Sequence, residues 1–385
     1  MRDKYDIAIV GAGPAGSSLA IRLARAGKRV VLIEKAKFPR QKLCGEFISP
    51  ECLEHFAELG VLAAMRSDAV ELTETVFYGR GGRGVTVPST MFGGLHANAI
   101  GLSRAEMDLR LMERAREVGV DIRDETSASL IIDRGRARGV KLRSAARTAE
   151  IDADVVIDAT GRSRALARKA HEDPAKRARF VAFKTHVRGV DIPDERCEIF
   201  SYRGGYGGTS RVENARHNIC FIASANDVKR LGSDATRVFR EVVCSNKRAA
   251  EVFRDVEFSD EWLAVPIERF GRGTLSPVPG LITVGDAAAF IDPFTGSGML
   301  LAFESARIAA GCIAQSADVA ELASEYERRY AAAFNARLRI CSWLRLASFV
   351  PFLAEATIFG LGLSEGLRRR LVRSTRPAAA QKSLR

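Results

Sequence analysis

Four residue groups in this chain have the types and spacing to do chemistry. Gly11, Gly13 and Gly16 read G-x-G-x-x-G within IAIVGAGPAGSS, and an acid, Glu34, closes the next apolar run, RVVLIE. Cys44, Gly45 and Glu46 stand together in KLCGEFISP, a stretch with no clear periodicity. Asp158 and Gly161 fall in DVVIDATGRS, and Asp286, Gly296, Gly298 and Met299 in LITVGDAAAFIDPFTGSGM. Tyr202 and Tyr206 flank glycines in FSYRGGYGGTS.

The first group specifies a dinucleotide site. Gly11 permits a tight turn, Gly13 lets backbone approach a pyrophosphate, and Gly16 lets a helix pack closely on a strand. Pro14 and Ala15 open that helix, whose N-terminus offers unpaired N–H groups to phosphate charge. Glu34, about twenty residues on, can accept hydrogen bonds from a ribose diol, and Lys35 follows it. An acid there disfavours a 2′-phosphate, so the site suits FAD or NAD rather than NADP. Strand, glycines, helix, strand and acid come in the order this chemistry needs, which a lone glycine motif would not establish. Gly296 and Gly298 open a second long helix, GSGMLLAFESARIAAGCI, and with it a second anion or dipole site.

Cys44 admits three readings: a polarisable side chain packed over a cofactor, a reactive thiol, or a plain buried cysteine. No partner cysteine lies at a spacing that suggests a redox pair. Glu46 is a proton source if buried and a solvated acid if not. Tyr206 is either a cavity-lining proton donor or part of a glycine-rich edge. His55, His96, His171, His186 and His217 have no metal-ligand spacing, so packing or surface roles are expected and no metal site.

Composition bounds the rest. The 385 residues, 46% hydrophobic, can bury a large core. Seven scattered cysteines without a CxxC pair fit reduced thiols in a cytoplasmic protein. The net charge of +12 suits anionic membranes or cofactors. Nucleic acid is excluded as a partner, since no recognition motif appears and aromatics are only 7%.

Together GAGPAG, DATG and GDA followed by DPFTGSG resemble the para-hydroxybenzoate hydroxylase superfamily of FAD-dependent enzymes, over about residues 5–315. The segment KFPRQKLCGEFISPECLEHFAELGV is similar to the geranylgeranyl reductase branch. Phe290 and Asp292-Pro293 stand where aromatic hydroxylases carry a histidine and a Pro-Pro pair. The resemblance implies that Gly11, Gly13 and Gly16 hold the pyrophosphate and Glu34 the adenosine ribose. Arg104 would reach the phosphate–ribityl region, and Asp286 the ribityl chain or a pyrophosphate-bound water network. Gly296, Ser297, Gly298 and Met299 would face the isoalloxazine, with Asp158 and Gly161 fixing the turn beneath. The segment of Cys44 and Gly45 would pass close to the ring. Two departures stand against a full match. The stretch 200–224 lacks the branch's aromatic-x-Trp-x-Phe-Pro pattern, and Ser297 replaces a frequent Glu. Neither Trp262 nor Trp343 sits in a halogenase-type motif.

The expected fold is α/β (α+β). A Rossmann-type FAD-binding domain is discontinuous over 1–70, 100–165 and 275–345, and a mainly antiparallel substrate domain covers 71–99 and 166–274. Residues 121–157 read as a small β-meander. A C-terminal helical segment and basic tail fill 346–385. The run WLRLASFVPFLAEATIFGLGL is interrupted by Arg345, Pro351 and Glu355, too costly for a membrane span. It fits either a helix pair capping the substrate domain or a peripheral segment on the anionic inner face of a membrane. The expected activity is FAD-dependent reduction of C=C bonds in an apolar, isoprenoid-like substrate, with Cys44 and Tyr206 as candidate catalytic residues. The alternatives are a flavin monooxygenase and a flavin-binding protein without turnover. No second nucleotide unit appears, so electrons come from NAD(P)H docking transiently or from a separate carrier.

Overall fold

The computed structural model describes residues 3–145, 147–170, 178–268, 270–291 and 296–376, and only the backbone of 344–348 and 351. Asp292-Pro293 and His171 lie outside the described residues. The strand Asp3–Val10 sits between Val30–Ile33 and Thr148–Asp158, parallel to both. Its apolar run is continuous because both faces are covered. Ile7 and Ile9 pack on one side and Ala8 and Val10 on the other. Helices Pro14–Arg25, Arg104–Glu117 and Gly298–Gln315 cover the first face.

Thr148–Asp158 is long enough to serve two further neighbours on its other edge. Its first half pairs antiparallel with Arg136–Arg143, which pairs with Ser127–Asp133, giving the meander; its last residues pair parallel with Leu281–Thr283. The turns after Val10, after Asp158 and after Thr283 therefore emerge at the same sheet edge, where ligands bind in open α/β sheets. This is the expected Rossmann-type α/β architecture.

A second, mainly antiparallel sheet of eight strands is drawn from Glu74–Tyr78, Gly84–Pro88 and the strands between Phe180 and Ile267. Its rear face packs Phe183, Phe200, Tyr202 and Phe221 against Phe239 and Phe253 of its own helices. Residues two apart along its strands share the other face, which looks toward segment 43–46.

The C-terminal expectation needs correction. The run from Trp343 ends a long helix, Val319–Phe349, and Pro351–Leu363 forms another. The stretch read as a basic tail is itself a helix, Glu365–Ser374, with Ser364 as its side-chain cap. Its end is docked: Arg376 is buried, 3.5 Å from Glu51 and 4.5 Å over the Phe92 ring, and Arg337 donates to the Thr375 carbonyl. Helix periodicity, with Glu365 four residues before Arg369, overrode the appearance of a charged tail.

Candidate functional site

The glycine turn owes its shape to two close approaches. Gly11 has φ +106° and donates to the Ile33 carbonyl; a Cβ there would lie 2.3 Å from the Ala159 oxygen. A Cβ on Gly16 would lie 1.9 Å from the Gly11 oxygen. Gly13 precedes Pro14 at the helix start, with no side-chain cap on the first-turn N–H groups. A Cβ on Gly13 would stand 3.6 Å from the Arg104 guanidinium, so that cation overlooks the turn. Ala15 is buried, and its Cβ lies 2.8 Å from where one on Gly285 would be.

Glu34 ends its strand buried, accepting from the N–H groups of Ala12 and Ala36 at 3.1 Å each and from Arg40 at 3.1 Å. Burial alone would raise its carboxyl pKa, but Arg40 and the two N–H groups outweigh it and hold the group below its ordinary range. Asp108 joins Arg40 to Arg104, at 2.8 Å and 2.7 Å. Burial and the neighbouring cations Arg40, Arg104 and Lys35 pull Lys42 below its usual pKa, though Glu34 opposes them. Four cations thus converge on the turn, more than two carboxylates neutralise, a setting made for a pyrophosphate.

Two further turns, after Asp158 and after Thr283, reach the same edge. Asp158 is structural in its contacts: Oδ1 accepts from the backbone N–H and hydroxyl of Thr160, Oδ2 from the N–H groups of Leu166 and Ala167. Burial raises the carboxyl pKa of Asp286, opposed by Arg162 and Arg104. A Cβ added at Gly45, Gly161 or Gly298 would meet nothing within 4 Å, while one at Gly296 would touch the Phe47 ring at 3.4 Å. Met299 packs partly buried against the helix core. Buried Arg162 Nη1 has no hydrogen-bond partner among the described residues. Open glycine faces, a cation-rich turn and an orphan guanidinium N–H fit an extended dinucleotide with a planar ring.

The sheet facing these turns is polar at one end and apolar at the other. Ala182, Ile222 and Tyr206 are cross-strand neighbours and pack with Ile267, Phe180, Phe270, Phe290, Phe349 and Leu43. Tyr206 lies 6.0 Å from Phe349, while Tyr202 turns to the rear face and donates to the Ile222 carbonyl. Two residues along, Lys184 pairs with Cys220, and then His186 with Asn218. Glu46 meets this polar end fully buried, so the solvated-acid reading fails. It accepts from Arg104 N at 2.8 Å and Lys184 Nζ at 2.5 Å, and His186 Nε2 lies 2.7 Å away. Burial raises its pKa, but Lys184 and His186 outweigh that and keep it low.

Cys44 is half-buried beside this cluster, accepting the Glu46 N–H at 3.4 Å; its carbonyl accepts from Asn218. Burial pushes its thiol pKa up, against the Arg104 cation, which weighs against a thiolate at neutral pH. Sequence reasoning missed Lys184 and His186. His186 is buried among ionisable groups rather than merely packed or exposed. The available signal was VAFKTHV, which puts two ionisable residues on one face of an otherwise apolar strand. Among the described residues no cluster could hold a metal ion.

Fold and site define a Rossmann-type flavoprotein. A family model described as FAD binding domain matches residues 4–333, and the chain belongs to that family. It is an FAD-dependent oxidoreductase. A digeranylgeranylglycerophospholipid reductase of Methanosarcina mazei is 29% identical over 349 residues, 86% of this chain and 81% of that one. A menaquinone reductase of Mycobacterium tuberculosis is 28% identical over 379 residues, 92% and 88% of the two chains. Among solved structures, a geranylgeranyl bacteriochlorophyll reductase-like protein of Thermoplasma acidophilum superposes with a TM-score of 0.79 at 21% identity, covering 100% and 96% of the chains. A flavin-dependent brominase superposes at 0.78 with 19% identity over 99% and 98%. At that identity these two share the fold.

Proposed function

We propose that this enzyme saturates carbon–carbon double bonds in the isoprenoid chain of a lipid. The observation that carries this reading is the apolar floor around Tyr206, Ile222 and Phe349, set against the segment of Cys44 and Gly45. The named activities of the prenyl-lipid and menaquinone reductases support it. Reduced FAD, when bound, supplies a hydride. The residues of this chain do the rest. Gly11, Gly13, Gly16 and Arg104 seat the pyrophosphate, and Glu34 and Lys35 border the adenosine. Gly161, Asp286, Gly296, Gly298 and Met299 border the ribityl and ring region. Cys44 packs at the ring face, and Tyr206 lines the substrate's path. The apolar floor excludes water, which keeps the hydride for the substrate.

The same reading includes an anionic membrane surface. Trp343, Phe352 and Leu363 are 73%, 79% and 73% exposed, and arginines 368, 369, 370 and 373 follow on the next helix. Phe349, on the same helix as Trp343, reaches the apolar floor. Among the described residues no helix is long and apolar enough to cross a membrane, so contact would be interfacial. Two assays test the reading. Holoenzyme reduced anaerobically is mixed with a geranylgeranyl ether lipid or menaquinone, and reoxidation without oxygen is expected. A flavin that stays reduced until air is admitted, then yields oxygenated lipid, overturns it in favour of a monooxygenase. Flotation with phosphatidylglycerol vesicles but not phosphatidylcholine vesicles is expected for the surface; equal behaviour contradicts it.

A further inference from the structure

Glu46 carries a backbone φ of +55°. A non-glycine residue in that left-handed region is strained, and the strain persists only where the surroundings over-determine it. Here the surroundings are the Cys44 thiol, Arg104 N, Lys184 and His186. The last contact continues outward. His186 is buried, its Nδ1 2.6 Å from Asp260 Oδ2, and the Asp260 side chain is 31% exposed with Arg216 3.6 Å away. Three titratable groups therefore run in line from solvent to the cofactor-facing segment.

We infer that Asp260, His186 and Glu46 conduct protons from solvent to the substrate face. An imidazole takes a proton at one ring nitrogen and releases one from the other, and carboxylates on both sides receive and return it. Lys184 shares Glu46 and lies two residues from Ala182 on the same strand face, so its ammonium stands where the polar end meets the apolar floor. Gln41 holds it from the other side at 2.9 Å. The inference rests on the reductive reading, because that reaction consumes a proton here. Saturating one double bond forms two C–H bonds. One takes the hydride with both electrons given up by reduced FAD; the other takes a proton from Lys184, which Glu46, His186 and Asp260 replace from solvent. Asp260, His186 and Glu46 are positioning and relay residues, acting through Lys184.

Asp260→Asn keeps an acceptor for His186 but cannot carry a proton. Two readouts test it. In 15N-histidine-labelled apoprotein, exchange of the His186 ring proton with solvent is expected to slow at least about tenfold; equal rates overturn the relay. In holoenzyme, single-turnover lipid reduction is expected to slow at least about tenfold, with a larger solvent deuterium isotope effect and recovery on adding formate. Unchanged rate and isotope effect overturn it. Asp260→Glu is expected to stay within a few-fold of wild type; a loss equal to that of Asp260→Asn means a structural role and also overturns it. If wild-type enzyme yields no saturated lipid, the reductive reading fails, and the exchange measurement still decides the relay.

Discussion

Replacing Gly13 or Gly16 by alanine separates cofactor space from folding space. At Gly16 the new Cβ would lie 1.9 Å from a backbone oxygen of Gly11, so the helix must move off the strand. Overpacking of this kind costs about 1–3 kcal/mol or more in the apoprotein. At roughly 2 °C per kcal/mol, the low end for a chain of this size, Tm falls by about 2–6 °C. At Gly13 the nearest atom would be Arg104 Nη2 at 3.6 Å, ordinary contact, and the backbone is extended at φ −83°. The apoprotein then loses only the few tenths to about 1 kcal/mol by which glycine exceeds alanine before a helix. Yet the methyl occupies the place where backbone must approach the pyrophosphate. Losing one charge-assisted hydrogen bond costs about 1.5–3 kcal/mol, which weakens FAD about 10- to 100-fold. Thermal unfolding of both apoproteins, with FAD titration followed by flavin fluorescence, checks the pair. A Gly13→Ala protein that binds FAD as wild type does, or that unfolds as early as Gly16→Ala, refutes the placement of the pyrophosphate.

Three other outcomes follow, two from ion pairs and one from a buried thiol. Glu304, its side chain 13% exposed, lies 3.1 Å from His55 and 2.7 Å from Arg307; burial opposes ionisation, but these partners lower its pKa to about 2. A depressed folded value stabilises above the unfolded pKa of about 4.3 and is lost as pH falls toward 2, so Glu304→Gln should cost about 3 kcal/mol at neutral pH and flatten the acid limb of urea unfolding. Arg376→Ala leaves Glu51 buried without its cation and should cost about 3 kcal/mol. Limited proteolysis should then cut first near the last helix. Because burial raises the Cys44 thiol, iodoacetamide should label it more slowly than free cysteine at neutral pH, speeding up as pH rises past the ordinary cysteine range. FAD should slow labelling further, as peptide mass spectrometry would record.

The nucleotide unit was legible because its signals are local. Glycine spacing, the continuous IAIV run and Glu34 each report on a few neighbouring residues, and the structure joins them through Gly11 N to Ile33 O and Ala12 N to Glu34. The buried charges were not legible, because they depend on register. Glu46 meets Lys184 and His186 only after the second sheet folds over segment 43–46, across separations of 138 and 140 residues. Only the alternation in VAFKTHV hinted that a lysine and a histidine share a face. Arg376 escaped for the same reason: its basic context reads as solvated until Glu51 and Phe92 are placed beside it.

The central claim is that this chain reduces an isoprenoid double bond. The most direct test is an anaerobic single turnover of reduced holoenzyme with a geranylgeranyl lipid in D2O, followed by mass spectrometry of the lipid. The account predicts a product that has gained two hydrogens across one double bond, at least one of them deuterium from solvent. A lipid unchanged without oxygen, which gains an oxygen atom once air is admitted, would contradict it.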